Sequence, residues 1–290
     1  MIENAVLQNI LSFGPVFLLI AVRAFAMIQT APILSSEAVP QTAKIALAGL
    51  AAFAVLPTAE IYIAANSPNG IVTLPGGTLS DLRYETFNLR FLLLLIGEGI
   101  IGIIMGFYLT VIFAAFATAG QFFSLQMGFG ASETFDPVAQ VENPLMGQYF
   151  NLVSMLIFVM IGGFHQLFLG GFWRSVQSLN IISLIDGREH VVKMFTFGLS
   201  RMFLDAIVIS LPILGTLFLT SLTTGLISKA APQVNILSEG FPISITAAFL
   251  LIFASLPFMV EAFGRVIDSG FQNIETLYKQ IGRQITGGTY

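Results

Sequence analysis

From Phe91 to Met127 the chain is apolar almost without interruption, and Glu98 is its one charged residue. A helix needs roughly 20 mostly apolar residues to cross a bilayer, so this run is far longer than one span requires. Its first turns, Phe91-Leu92-Leu93-Leu94-Leu95-Ile96, are apolar on every side. A membrane β-strand would alternate instead, so the run reads as helix. Further long apolar stretches lie at about residues 13–34 (interrupted by Arg23), 44–65, 149–173, 194–227 and 243–262. The expectation is an all-α integral membrane protein with about six long, partly broken apolar helices in hairpins. Composition agrees. The 290 residues are 56% hydrophobic and 10% charged, where ordinary soluble domains have about 45–50% and about 25%. That charge is too little to clothe a soluble surface, which excludes most soluble enzymes. A net charge of −4 opposes binding to a phosphate backbone, so no nucleic-acid partner is expected.

Chemistry is scarce. The chain has no cysteine and two histidines, which removes disulfides and thiolate metal sites and leaves little for acid–base work. No phosphate-binding loop, dinucleotide fingerprint or zinc-protease motif is present. Ser132 sits in a G-x-S setting, but a serine nucleophile needs a histidine base. His165 and His190 belong to other segments. No catalytic residue, metal site or cofactor is expected. Glu3 precedes the first apolar run without any Lys or Arg, unlike a cleaved signal peptide. Turn-rich stretches at residues 66–90, 128–147 and 177–190 read as loops. Arg83, Arg90, Arg174, Arg188, Lys193, Arg265, Lys279 and Arg283 fall on one side of a six-span layout, with Lys44 and Lys229 on the other. The positive-inside rule then places both termini in the cytoplasm.

Ionisable residues inside apolar runs are costly and mark sites by default. They are Arg23, Glu60, Glu98, Asp205 and Glu261, with Arg201 and Lys229 nearer the ends. One carboxylate per helix gives thin support for a proton relay, and pairing between helices or with other subunits is the plainer role. Arg201 and Asp205 are four apart and share a helix face. Gly102 and Gly106 make a small-xxx-small step, the spacing that lets membrane helices approach closely. Prolines at 32, 40, 57, 212, 232, 242 and 257 bend or break helices, and the pairs Gly162-Gly163 and Gly170-Gly171 are further candidate kink points. Broken backbone at membrane depth survives against protein or a water-filled cavity. The loop after Gln126 and Met127 combines Gly128, Phe129, Phe135, Asp136, Pro137 and Asn143, with no Lys or Arg. Bulky apolar side chains on such a stretch can seal a pore by filling it. Residues 263–290 begin as an amphipathic helix, with Phe263, Ile267, Ile274, Leu277 and Ile281 on one face. It serves either as a membrane or partner contact or as a cover for the chain's own bundle.

In order, these features resemble the FliR family of flagellar export-gate proteins, which has counterparts in injectisome type III secretion. Arg23, Ala31-Pro32, Val39-Pro40 and Lys44 are similar to that family's opening pattern. Gly97-Glu98 with Gly102 and Gly106 matches its third helix. Gly120, Gln126-Met127-Gly128 and Asp136-Pro137 match its middle loop, and Gly163-Phe164-His165 resembles its Gly-His turn less closely. Pro232-Gln233-Val234-Asn235 with Gly240-Phe241-Pro242 matches its late hairpin. The resemblance implies a multi-pass subunit of a hetero-oligomeric gate in the bacterial inner membrane, at the flagellar basal body. FliP-like and FliQ-like subunits would be its partners, with an FlhB-like protein nearby. It further implies a FliP-like portion over residues 1–176, a FliQ-like hairpin over 191–262, and a plug at residues 126–143. Unfolded export substrates would pass through the lumen, and several helices would stand out of the bilayer plane. Arg23, Glu98, Gly102, Gly106, Lys229, Pro232, Gln233 and Asn235 are then candidates for helix or subunit packing. The alternative is a small secondary transporter with a midplane substrate site.

Overall fold

Long apolar runs with no strand alternation fold as helices, because only a helix satisfies its own backbone in lipid. In a computed structural model the backbone is described for residues 2–65, 73–74, 77–78, 89–127, 145–179, 181–230 and 236–285. We name the helices α1 (Ile2–Thr30), α2 (Gln41–Ala65), α3 (Leu89–Met127), α4 (Leu145–Met160), α5 (Gly163–Ser178), α6 (Ile181–Asp186), α7 (Arg188–Ala230) and α8 (Ile236–Ile285). Two short strands, β1 (Thr73–Leu74) and β2 (Gly77–Thr78), pair antiparallel in the expected loop between α2 and α3.

Local chemistry sets the helix ends. α1 stops at Thr30, just ahead of the Ala31-Pro32 step that disfavours helical backbone. The turn to α2 is clipped where the Lys44 ammonium, itself buried, donates to the Ser35 carbonyl at 2.9 Å. Between α4 and α5 the chain turns at Gly162, whose φ of +71° suits glycine. There the two helices bend by 75°.

The run expected at residues 149–173 is therefore a broken pair of helices rather than one straight span. Three helices are long and apolar enough to cross a membrane, or four if the bent pair counts as one, among the described residues. The apolar stretches Gly14–Thr30 and Gln41–Pro57, where two further long runs were expected, are shorter, so fewer than six long spans are seen among the described residues. The loop expected at residues 177–190 is mostly helical, holding α6 and the start of α7. The sixth apolar run and the amphipathic tail join without a break in α8. The lengths exceed one crossing, as expected for α3 but not for α7 and α8. At 1.5 Å per residue the 39, 43 and 50 residues of α3, α7 and α8 extend about 58, 65 and 75 Å. A hydrocarbon core about 30 Å thick, crossed at a tilt of about 40°, takes up only about 39 Å of helix. Each of the three must run well beyond it.

The chain forms two compact units. The first holds Met1–Thr110, Phe164–Thr196 and Gly270–Tyr290. Here α1 packs on α2, and Leu19 and Phe91 join α1 to the start of α3. The second holds Val111–Gly163 and Phe197–Ser269. Its core is aromatic. Phe116 stacks on Phe263 with ring centres 4.3 Å apart, Phe123 meets Phe150 at 5.0 Å, and Phe113 meets Phe158 at 5.5 Å. α3 and α4 touch backbone to backbone there, since a Cβ at Gly120 would lie 2.5 Å from the Met146 carbonyl oxygen. The apolar face of the last helix is covered by the chain itself: Phe263, Ile267, Ile274, Leu277 and Ile281 are all buried. That decides between the two roles left open for it.

Candidate functional site

Arg23 is the centre of the first unit. It lies two turns before the end of apolar α1 and is 2% exposed, where an unpaired guanidinium would be strongly unfavourable. All three of its nitrogens are used. Nε donates to Glu98 Oε2 at 2.5 Å, and Nη2 reaches the same oxygen at 2.5 Å. Nη2 also donates to the Leu179 carbonyl at 2.9 Å, and Nη1 to Ser175 Oγ at 3.3 Å. Leu179 stands just past the end of α5, where helix carbonyls have no N–H partner of their own. One side chain of α1 thereby ties together α3 and the end of α5. Charge-assisted bonds of this kind are about twice as strong as neutral ones.

Glycines set how near α1 comes to α3. A Cβ at Gly102 would lie 2.3 Å from the Arg23 carbonyl oxygen and 2.9 Å from Ala26 Cβ. One turn on, a Cβ at Gly106 would occupy the place of the Thr30 hydroxyl. That hydroxyl donates back to Ala26, at 2.9 Å. The Thr30 carbonyl, free at the end of α1, accepts the hydroxyl of Thr110 at 2.9 Å. Gly97 likewise receives Ile181 from α6. The small-xxx-small step places α3's backbone directly against α1, at the level where the Arg23–Glu98 pair forms.

Within α5 the segment Gln166–Trp173 is wound as a π-helix, a rare form frequent at functional sites. The Tyr278 hydroxyl of α8 donates to the Gly171 carbonyl at 3.0 Å and lies 3.5 Å from Met105 Sδ. At the exposed rim Arg174 pairs with Glu275 at 2.5 Å, and Lys279 joins the same carboxylate at 3.1 Å. The end of α8 thus holds the π-wound turns in place, and Ser175 directly after them bonds Arg23. Ser175 and the Leu179 carbonyl were not singled out in the sequence.

The other candidates lie apart. Met127 is fully buried and Gln126 exposed at the end of α3. Lys229 is exposed at the last turn of α7. Gly128, Phe129, Phe135, Asp136, Pro137, Asn143, Pro232, Gln233 and Asn235 fall outside the described residues. Arg201 and Asp205 form their i,i+4 pair at 3.2 Å. No group of three or more metal-binding side chains occurs among the described residues.

The sequence pattern of the bacterial export proteins, family 1, matches residues 15–270. The chain belongs to that family. The match takes in the Arg23–Glu98 hub and both glycine contacts of this family 1 export protein. It is similar to the flagellar biosynthetic protein FliR of Borreliella burgdorferi, with 30% identity over 67% of this chain and 73% of the relative. The FliR of Escherichia coli is 29% identical over 81% and 82%. That of Bacillus subtilis is 24% identical over 95% and 99%, so this similarity reaches into the C-terminal helix. The FliR resemblance drawn from the motifs is thereby upheld, and the protein is a membrane-embedded bacterial export component.

Proposed function

We propose that the protein is a channel subunit of the flagellar type III export gate in the inner membrane, at the basal body. With FliP-like and FliQ-like subunits, and an FlhB-like protein beside them, it forms the pore that unfolded flagellar proteins traverse. The supporting observation is the uneven burial of its apolar helices. In the most apolar part of α3, 61% is buried within the chain, but only 28% of α7 and 17% of α8. Helices far longer than a bilayer is thick, carrying apolar faces the chain leaves open, suit contact with other protein as well as lipid. In this proposal residues 1–176 and 191–262 are the FliP-like and FliQ-like portions, and residues 126–143 supply the plug.

Co-expression with FliP-like and FliQ-like subunits tests it. Affinity purification through this chain is expected to recover both in one detergent-stable complex. A free homodimer that binds a small solute would instead support a secondary transporter.

A further inference from the structure

A π-helix of eight residues, Gln166–Trp173, interrupts α5. Winding with i→i+5 bonds is rare because α geometry is ordinarily favoured, so it needs support from its surroundings. The sequence lowers its cost with Gly170-Gly171, since glycine gains less from α winding than any residue but proline. The support comes from the end of α8, which grips the last π turn at two points. The buried Tyr278 hydroxyl donates to the Gly171 carbonyl at 3.0 Å. Glu275, one turn earlier on α8, pairs with Arg174, the first residue past the π stretch, at 2.5 Å.

The residues that follow serve Arg23. Ser175 Oγ accepts from Arg23 Nη1, and the Leu179 carbonyl accepts from Nη2. The π stretch itself aims that serine, whose hydroxyl donates to the Phe172 carbonyl at 2.6 Å. A π turn holds about one residue more than an α turn. Rewinding the stretch as α, with Leu167 kept in the core, would carry Ser175 and Leu179 about 100° around the helix axis. Arg23 would keep Glu98 but lose both partners at the end of α5. The Tyr278 bond and these Arg23 contacts therefore stand or fall together.

We propose that Gln166–Trp173 is a two-register switch set by the end of α8. Docked through Tyr278, α8 holds the stretch π-wound with α5 tied to Arg23; release of Tyr278 rewinds it as α and frees that tie. The switch lies within this chain and works whichever partners surround it. The chain has no cysteine, so a single one in place of buried Leu179 reports the register. In membranes of cells making the full chain, Leu179→Cys is expected to react slowly with a maleimide. Adding Tyr278→Phe removes one oxygen and should speed labelling at least tenfold at an unchanged level of the chain. Deleting Gly170, where a Cβ would meet nothing within 4 Å, removes the extra residue, so the shortened stretch can wind as α with both flanks in place. In the Tyr278→Phe background that deletion should restore slow labelling. Fast labelling with Tyr278 intact, or unchanged labelling with Tyr278→Phe, would overturn the proposal. So would fast labelling that persists after the deletion, the mark of general loosening, or loss of either altered chain from the membrane.

Discussion

Replacing Arg23 by Gln is expected to destabilise the folded chain by about 3–5 kcal/mol, the usual effect of breaking a buried ion pair from one side. Glutamine reaches at most one of the groups that Arg23 now joins, and leaves Glu98, 17% exposed at its side chain, without a cation. The Leu179 carbonyl and Ser175 hydroxyl lose a donor at the same time. Arg23→Lys should fall between the two, because an ammonium keeps the charge but has no planar fork. Arg23→Met combined with Glu98→Leu should recover most of the loss, since an apolar pair of similar volume removes both charges together. Equilibrium unfolding in detergent, run as a double-mutant cycle, measures these differences. A cycle in which the two single changes simply add would show that the pair does not couple α1 to α3.

Gly102→Ala carries the second large effect. Alanine favours a helix over glycine by up to about 1 kcal/mol, so in open surroundings the change would stabilise. At Gly102 the new methyl would lie 2.3 Å from the Arg23 carbonyl oxygen. Backbone cannot move aside as a side-chain end can, so α1 and α3 must separate. Forcing such overpacking costs typically about 1–3 kcal/mol, and separation also lengthens the Arg23–Glu98 contact. The expected net result is a loss of about 2 kcal/mol, while Gly102→Leu should prevent accumulation of the folded protein. Gly170→Ala is the control. A Cβ there meets nothing within 4 Å, and its effect should stay within about 0.5 kcal/mol. Unfolding in detergent again provides the measurement.

Both effects concern residues whose chemistry stands out in the sequence. An arginine and a glutamate inside apolar runs must find partners, and two glycines one turn apart on the same helix invite close contact. What could not be read was which atoms answer them. Ser175 and the Leu179 carbonyl are 152 and 156 positions from Arg23, and a lone serine at the end of an apolar run carries no signal. Apolar periodicity also fails where a helix is apolar all round. Gln166–Trp173 shows no stripe whose drift would betray π winding. The run of α3 was read at nearly its full length, but α7 and α8 were cut too short for a related reason. In α8 the apolar run passes into an amphipathic stretch because the surroundings of the helix change, while its backbone continues. At residues 177–190 the charges and Gly187 outweighed the short apolar Ile181–Asp186, which became helix. The glycine pair Gly162-Gly163 was a candidate kink point and does bend, whereas the breaks expected at three of the prolines do not occur. The sharp bend falls at Gly162, and Pro212, Pro242 and Pro257 lie inside continuous helices.

Around Arg23 the chain satisfies its own charges and its close helix approaches internally. The stretch from Gln126 to Asn143 is the part of the account closest to transport.

Its direct test is the ion and dye permeability of cells producing the complete gate, with and without deletion of Phe129–Phe135. If this chain contributes a plug to an export channel, the deletion should make cells permeable while the complex is recovered at its normal yield. Unchanged permeability with the gate fully assembled would contradict it.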